Sequence, residues 1–140
     1  ASAPSSGRDI RLPKGYVTRR IEGVVVWSDG RPVKDAWVSL RNRERPGDDD
    51  TVYSFEHADG QGRFSVQGFV GSEYWAHASP TIGDVRLDDG RSLWDAGVRE
   101  LWASPVKITV GSENAPLRLV LSLPEGLRLA PADKRQENQR

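Results

Sequence analysis

Hydrophobic and polar residues alternate with a period of two along most of the chain between Val17 and Leu123. Val17, Ile21, Val25 and Trp27 fall on one side of a first predicted strand, with Arg20 and Glu22 on the other. Asp29-Gly30-Arg31-Pro32 breaks this run, because glycine accepts a positive φ and proline cannot continue a ladder. In the second strand Ala36, Val38 and Leu40 face one way, and Trp37, Ser39 and Arg41 the other. A charged loop over 42–50 follows, and then a third strand over Thr51–His57, rich in β-branched and aromatic residues.

Asp59-Gly60-Gln61-Gly62 reads as a tight turn of the hairpin kind. Phe64 and Val66 point inward from a short strand over Arg63–Gln67, and Gly68–Ser72 turns the chain again. In Glu73–Ser79, Tyr74, Ala76 and Ala78 share one face, and Trp75 and His77 the other. Residues 80–97 are irregular, and Val98–Ala103 is expected to form a further strand. Two clear alternations close the pattern: Val106, Ile108 and Val110, then Leu117, Leu119, Leu121 and Leu123. No segment holds a helical period, so the predicted class is an all-β sandwich or barrel. The pattern places a flexible arm at 1–16, the domain at 17–124 and a flexible polar tail at 125–140.

Composition narrows the function classes. A chain of 140 residues is one domain by length. Lys plus Arg and Asp plus Glu are 20 each, so the net charge is zero and the field that nucleic acid requires is lacking. No apolar run approaches the ~18–20 residues of a membrane span. Cysteine is absent, which excludes a thiol nucleophile, a thiolate metal site and a disulfide framework. Methionine is absent as well, and the chain opens Ala1-Ser2-Ala3-Pro4. That opening reads as a secreted protein after signal removal or as an excised domain.

The stretch Ile21–Leu40 carries Gly23, Val25, Gly30, Pro32, Val33, Ala36, Val38 and Leu40, and Asp59–Ala78 carries Asp59, Gly62, Phe64, Gly71, Tyr74 and Ala78. In that order and spacing they resemble the carboxypeptidase regulatory-like domain, of the transthyretin-like and Cna-B-like group of β-sandwiches. The resemblance implies an all-β, seven-stranded Greek-key sandwich of transthyretin (prealbumin) type. It also implies a non-catalytic accessory or interaction module of a larger secreted, periplasmic or cell-surface protein, without cofactor. Its partner would be a neighbouring domain or envelope protein. The matching residues also have a purely structural reading: Gly30 and Pro32 fix a corner, Asp59 closes a turn through its side chain, and Val33, Ala36, Val38 and Leu40 fill the core.

Candidate chemistry is sparse. His57 and His77, with Glu56 or Glu73, fall short of a recognisable zinc motif, and no metal site is expected. A hydrolase would need a histidine to converge with carboxylates, and no G-x-S-x-G elbow is present. Asp48-Asp49-Asp50 and Asp88-Asp89 lack the spacing of an EF-hand and read as solvated turns. Lys34 in a turn and Asn114 before the last strand do not match the positions of the isopeptide pair that some Cna-B relatives carry.

The five tryptophans carry the sharpest signal. Trp37 and Trp75 point away from the core face, His77 shares the Trp75 side, and the three could form one outer aromatic patch together with Trp94. Such a patch would stack on sugar rings or anchor a protein partner. The competing expectation is that residues 80–104, with Leu93, Trp94, Leu101 and Trp102, fold over that face and cover it. Large patches are seldom left open on monomers, so covering is the expected outcome.

Overall fold

The structure, a computed structural model, describes residues 17–47, 49–111 and 116–131. Its strands are β1 (Thr18–Trp27), β2 (Trp37–Arg41), β3 (Val52–His57), β4 (Arg63–Phe69), β5 (Glu73–Ser79), β6 (Val106–Thr109) and β7 (Leu117–Leu121). They form two sheets, one ordered β4-β1-β7 and the other β3-β2-β5-β6. All pairings are antiparallel except β1 with β7. The chain is therefore all-β, as its alternation predicts, and the only helical element among the described residues is a single 3-10 turn at Ile82–Asp84.

The core lies between the sheets. Ile21, Val25, Phe64, Val66, Leu119 and Leu121 come from the three-stranded sheet, and Val38, Leu40, Tyr74, Ala76 and Ala78 from the other. Each of these falls on the face that period two assigns to it. Full burial of a Val or Leu side chain is worth roughly 1.5–3 kcal/mol. Val25, Val38, Leu40, Leu119 and Leu121 reach that limit.

The turn at 59–62 has the predicted local chemistry and a different role. Asp59 accepts the N–H groups of Gln61 and Arg63 through Oδ1, at 2.8 and 2.9 Å. Those bonds, from Arg63 first, hold its carboxyl below the usual carboxylate range. Gly62 has φ of 77°, and a Cβ there would lie 2.5 Å from the Val25 carbonyl. Yet β3 and β4 do not pair as a hairpin; they belong to different sheets. The turn is a corner that carries the chain across the sandwich. Local turn chemistry fixes the reversal and leaves open which strand each arm pairs with.

Two other expectations are corrected. Residues 98–103 form no strand. The Ala103 N–H bonds the Ala78 carbonyl of one sheet at 2.8 Å, and the Ser104 N–H bonds Val120 of the other at 3.1 Å. Split between two sheets, the segment cannot form a ladder with either. The ordered domain also continues past 124: Asp88 N–H bonds Arg128 O, Ala130 N–H bonds Arg86 O, and Leu87 pairs with Leu129. Leu129 packs against the core, which is why the chain stays in place after its alternation has faded. The arm at 1–16 and the remainder of the predicted tail, 132–140, lie outside the described residues.

Candidate functional site

The outer face of the four-stranded sheet holds three rows of side chains, set by strand register. Trp37 lies opposite His57 on β3 and Ser79 on β5; Ser39 lies opposite Phe55 and His77; Arg41 lies opposite Val52 and Trp75. Period two puts all of these outward except Val52, which the register shift between Leu40 and Arg41 brings opposite Arg41. Their fates then diverge.

At the β3 end the face is open. Trp37 is 40 % exposed and Phe55 54 %. Their rings are parallel within 7°, with centroids 5.2 Å apart. The exposed His57 imidazole sits 4.4 Å from the Trp37 ring, tilted by 48°. β3 is the edge strand, so no further strand among the described residues shields these rings. The result is a three-ring platform on the sheet. Below it an open groove of about 1150 Å³ runs past His57, Glu56, Asp59, Arg63, Arg20 and Glu22.

The centre of the same face is closed. His77 is 0 % exposed. Its Nε2 lies 2.8 Å from the Arg43 carbonyl, and Nδ1 has no partner. The pairing with a carbonyl makes Nε2 the protonated nitrogen of a neutral imidazole. Burial lowers the His77 pKa, with Arg41 adding to the effect; the Arg43 carbonyl, Asp50 and Glu44 oppose it. Two covers produce this burial. Residues 43–46 pass over the histidine, and an Arg41–Asp50 ion pair at 3.0 Å, whose side chains are 13 % and 2 % exposed, pins this loop. Desolvation works against the Asp50 charge, but Arg41 and the Gly47 N–H outweigh it and hold that carboxyl below its usual range. The second cover is Trp102, edge-on to His77 at 6.0 Å, with the Arg41 guanidinium 5.4 Å from its ring centre. Trp102 Nε1 donates to Glu100 at 2.9 Å. Beside this cover a cavity of about 450 Å³ is lined by Glu44, Arg45, Pro46, His77, Trp102 and Pro105.

The predicted patch residues are thus not brought together. Trp75 is half-buried, with the Lys107 ammonium 5.9 Å from its ring centre. One row, that of Ser39 and His77 under its Trp102 cover, lies between it and Trp37. Trp94 is 51 % exposed but stands in the 92–97 turn, stacked under Arg99 at 3.7 Å. No ring contact joins Trp37 to Trp75 or Trp94 among the described residues. Covering by 80–104 holds at His77, where Trp102 packs on the ring, and fails at Trp37; Leu93 is buried elsewhere. The partners the sequence reading missed are Phe55 and His57. The signal available was Phe55 and His57 on one side of the third strand, with Ser54 and Glu56 on the other.

The ionisable groups are dispersed. Among the described residues no cluster of three or more His, Asp or Glu is placed to hold a metal. Asp49 faces Arg43 at 3.7 Å and Asp89 pairs with Arg91 at 2.8 Å, while Asp48 and Asn114 lie outside the described residues. Lys34 is exposed in its turn. No family model, curated protein or solved structure matches the chain.

Proposed function

We propose that this chain is a non-catalytic accessory module that works outside the cytoplasm, as a rigid β-sandwich presenting one sheet face to a neighbouring domain or envelope protein. We assign it the transthyretin-like, Greek-key architecture that the Gly23–Leu40 and Asp59–Ala78 motifs resemble. The sheet orders β4-β1-β7 and β3-β2-β5-β6 support that assignment. One observation carries the functional reading: Trp37, Phe55 and His57 form a contacting ring cluster left open to solvent on a sheet. Exposed, mutually packed aromatics supply a large apolar area at low entropic cost, which is what recognition surfaces use. A photo-crosslinking residue placed at Phe55 in the producing cell gives a discrete adduct, and the same residue at Trp94 does not. Equal adducts at both sites, or none at 55, defeat the reading.

A second reading, carbohydrate binding, is favoured by the parallel Trp37 and Phe55 rings at 5.2 Å. Flat aromatic faces stack on the C–H faces of sugars. Titration with cello-, chito- and xylo-hexaose then quenches tryptophan fluorescence, and Trp37→Ala abolishes the change while Trp75→Ala retains it. No change with the unmodified chain removes the glycan reading and leaves the protein-partner reading standing.

A further inference from the structure

The sandwich has four sheet edges, and they are not equally defended. On β4 the N–H groups of Gln67 and Phe69 are taken by Ser54 Oγ at 3.2 Å and Tyr74 Oη at 3.0 Å. On β7 the Val120 carbonyl accepts the Ser104 N–H at 3.1 Å. β6 spans four residues, enters from Pro105 and carries Lys107. Short length, proline and lysine are the usual protections of an edge. β3 spans six residues, has no proline, lysine or arginine, and exposes Val52, Tyr53 and Phe55. Among the described residues nothing pairs with its outer side.

The register shows which backbone groups are on offer. The Ala58 N–H bonds the Ala36 carbonyl at 2.7 Å, so Ala36 and Ala58 are a hydrogen-bonded pair. Antiparallel alternation then turns the N–H and C=O of Phe55 and His57 away from β2. The register shift opposite Leu40/Arg41 and the contact of Tyr53 with Tyr74 end this regular run at Ser54. A strand that is short, runs antiparallel and brings its own aromatic residue to the outer face would extend this run and its ring cluster. β3 itself meets all three conditions.

We propose that β3 is the seat of a two-fold dimer, pairing antiparallel with β3 of a second copy about Phe55 to make one eight-stranded sheet. Charge selects this register. Centring on Glu56 would set two glutamates side by side, a destabilising pair. Centring on Phe55 sets each Glu56 opposite Ser54 of the other copy, with His57 opposite Tyr53. Phe55 then meets Phe55 across the axis, and the Trp37–Phe55 stack runs on as four rings. The net charge of zero leaves no long-range repulsion between copies. The side chains of Trp37, Val52 and Phe55 offer on the order of 200 Å² of apolar area per copy, far below the ~800 Å² of a stable partner surface. The dimer is accordingly weak, with half-association between roughly 10 µM and 1 mM.

The test is sedimentation equilibrium of the full chain over that range, with Phe55→Arg as the variant. A reversible dimer that Phe55→Arg converts to monomer at every concentration is expected. Because the chain has no cysteine, Phe55→Cys and Val52→Cys give a second readout. Paired Phe55 positions lie about 5.5 Å apart and oxidise to a linked dimer. Val52 positions lie about 20 Å apart in this register and do not. A monomer up to 1 mM, a dimer indifferent to Phe55→Arg, or equal cross-linking at 52 and 55 overturns the proposal. The dimer rests on the β3 edge and not on ligand binding, so a platform that binds no glycan leaves it intact.

Discussion

Trp37 and His77 sit on the same face of the same sheet, one row apart, and the first is open while the second is sealed. Both are placed outward by the same alternation. What separates them is their neighbours. Over His77 pass residues 43–46 and Trp102, and Arg41 fastens both: one through its ion pair to Asp50, the other through the face of the indole. Over Trp37 nothing passes among the described residues, because β3 is an edge and the chain leaves it toward the other sheet. Outward on a β-sandwich therefore does not mean exposed. The covering of a sheet face is decided by the segments that cross it.

This contrast can be broken from the covered side first. Trp102→Ala strips one cover from His77 and leaves a void over the sheet centre. An unfolding free energy lower by about 2–4 kcal/mol in urea is expected. A loss under about 1 kcal/mol would mean that Trp102 lies on the surface without sealing it.

The next effect is a pH dependence. Burial, first, and Arg41 lower the His77 pKa in the folded chain, so the folded state keeps the imidazole neutral where the unfolded chain protonates it near pH 6.5. The stability this supplies is complete above about pH 6.5 and is lost as pH falls below it, at up to about 1.4 kcal/mol per pH unit. His77→Gln flattens the stability profile in the acidic window below about pH 6.5. An unchanged slope in that variant assigns the pH dependence elsewhere. Below that window Asp29, Asp50, Asp59 and Asp89 add an acid loss of their own, since hydrogen bonds and arginine partners hold all four below their usual pKa.

A subtler change comes from Asp50→Asn. The loop loses its ion pair but keeps the bonds between Asn42 and Thr51. Amide exchange over 43–47 speeds up while β2 and β5 keep their protection, since loop opening is a sub-global event. Equal acceleration in the strands would show that the loop is part of the cooperative core.

The smallest effect belongs to the open end. Trp37→Ala removes an exposed ring and costs less than about 1 kcal/mol. Acrylamide quenching of tryptophan fluorescence falls markedly in the same variant and hardly changes in Trp102→Phe. If Trp37→Ala costs as much as Trp102→Ala, the two ends of the face are not different in kind.

The alternation of Val38 with Leu40 and of Ala76 with Ala78 placed the core face correctly, because a strand has only two faces and one must be buried. Asp59 announced its turn, since a carboxylate two residues before a free N–H has a local partner wherever the chain goes. The platform was half legible: Trp37 was placed on the outer face, but its partners Phe55 and His57 come from a strand whose pairing is set across a nine-residue charged loop. Alternation puts Trp75 on the same face, but two rows along, and Trp94 joins the group only by residue type, which carries no distance.

The sequence by itself determined most of the strands, their inward sets and the chemistry of the turns, all of which depend on residues within a few positions of one another; the Val98–Ala103 strand is the exception. The tertiary structure decided the rest: that β3 and β4 turn a corner into different sheets, that Ala103 and Ser104 divide between those sheets, and that Leu129 returns to the core. It also decided that His77 is sealed while Trp37 is open. Each of these depends on which distant segment lies alongside, a choice made by the packing of the whole core and not by the local pattern.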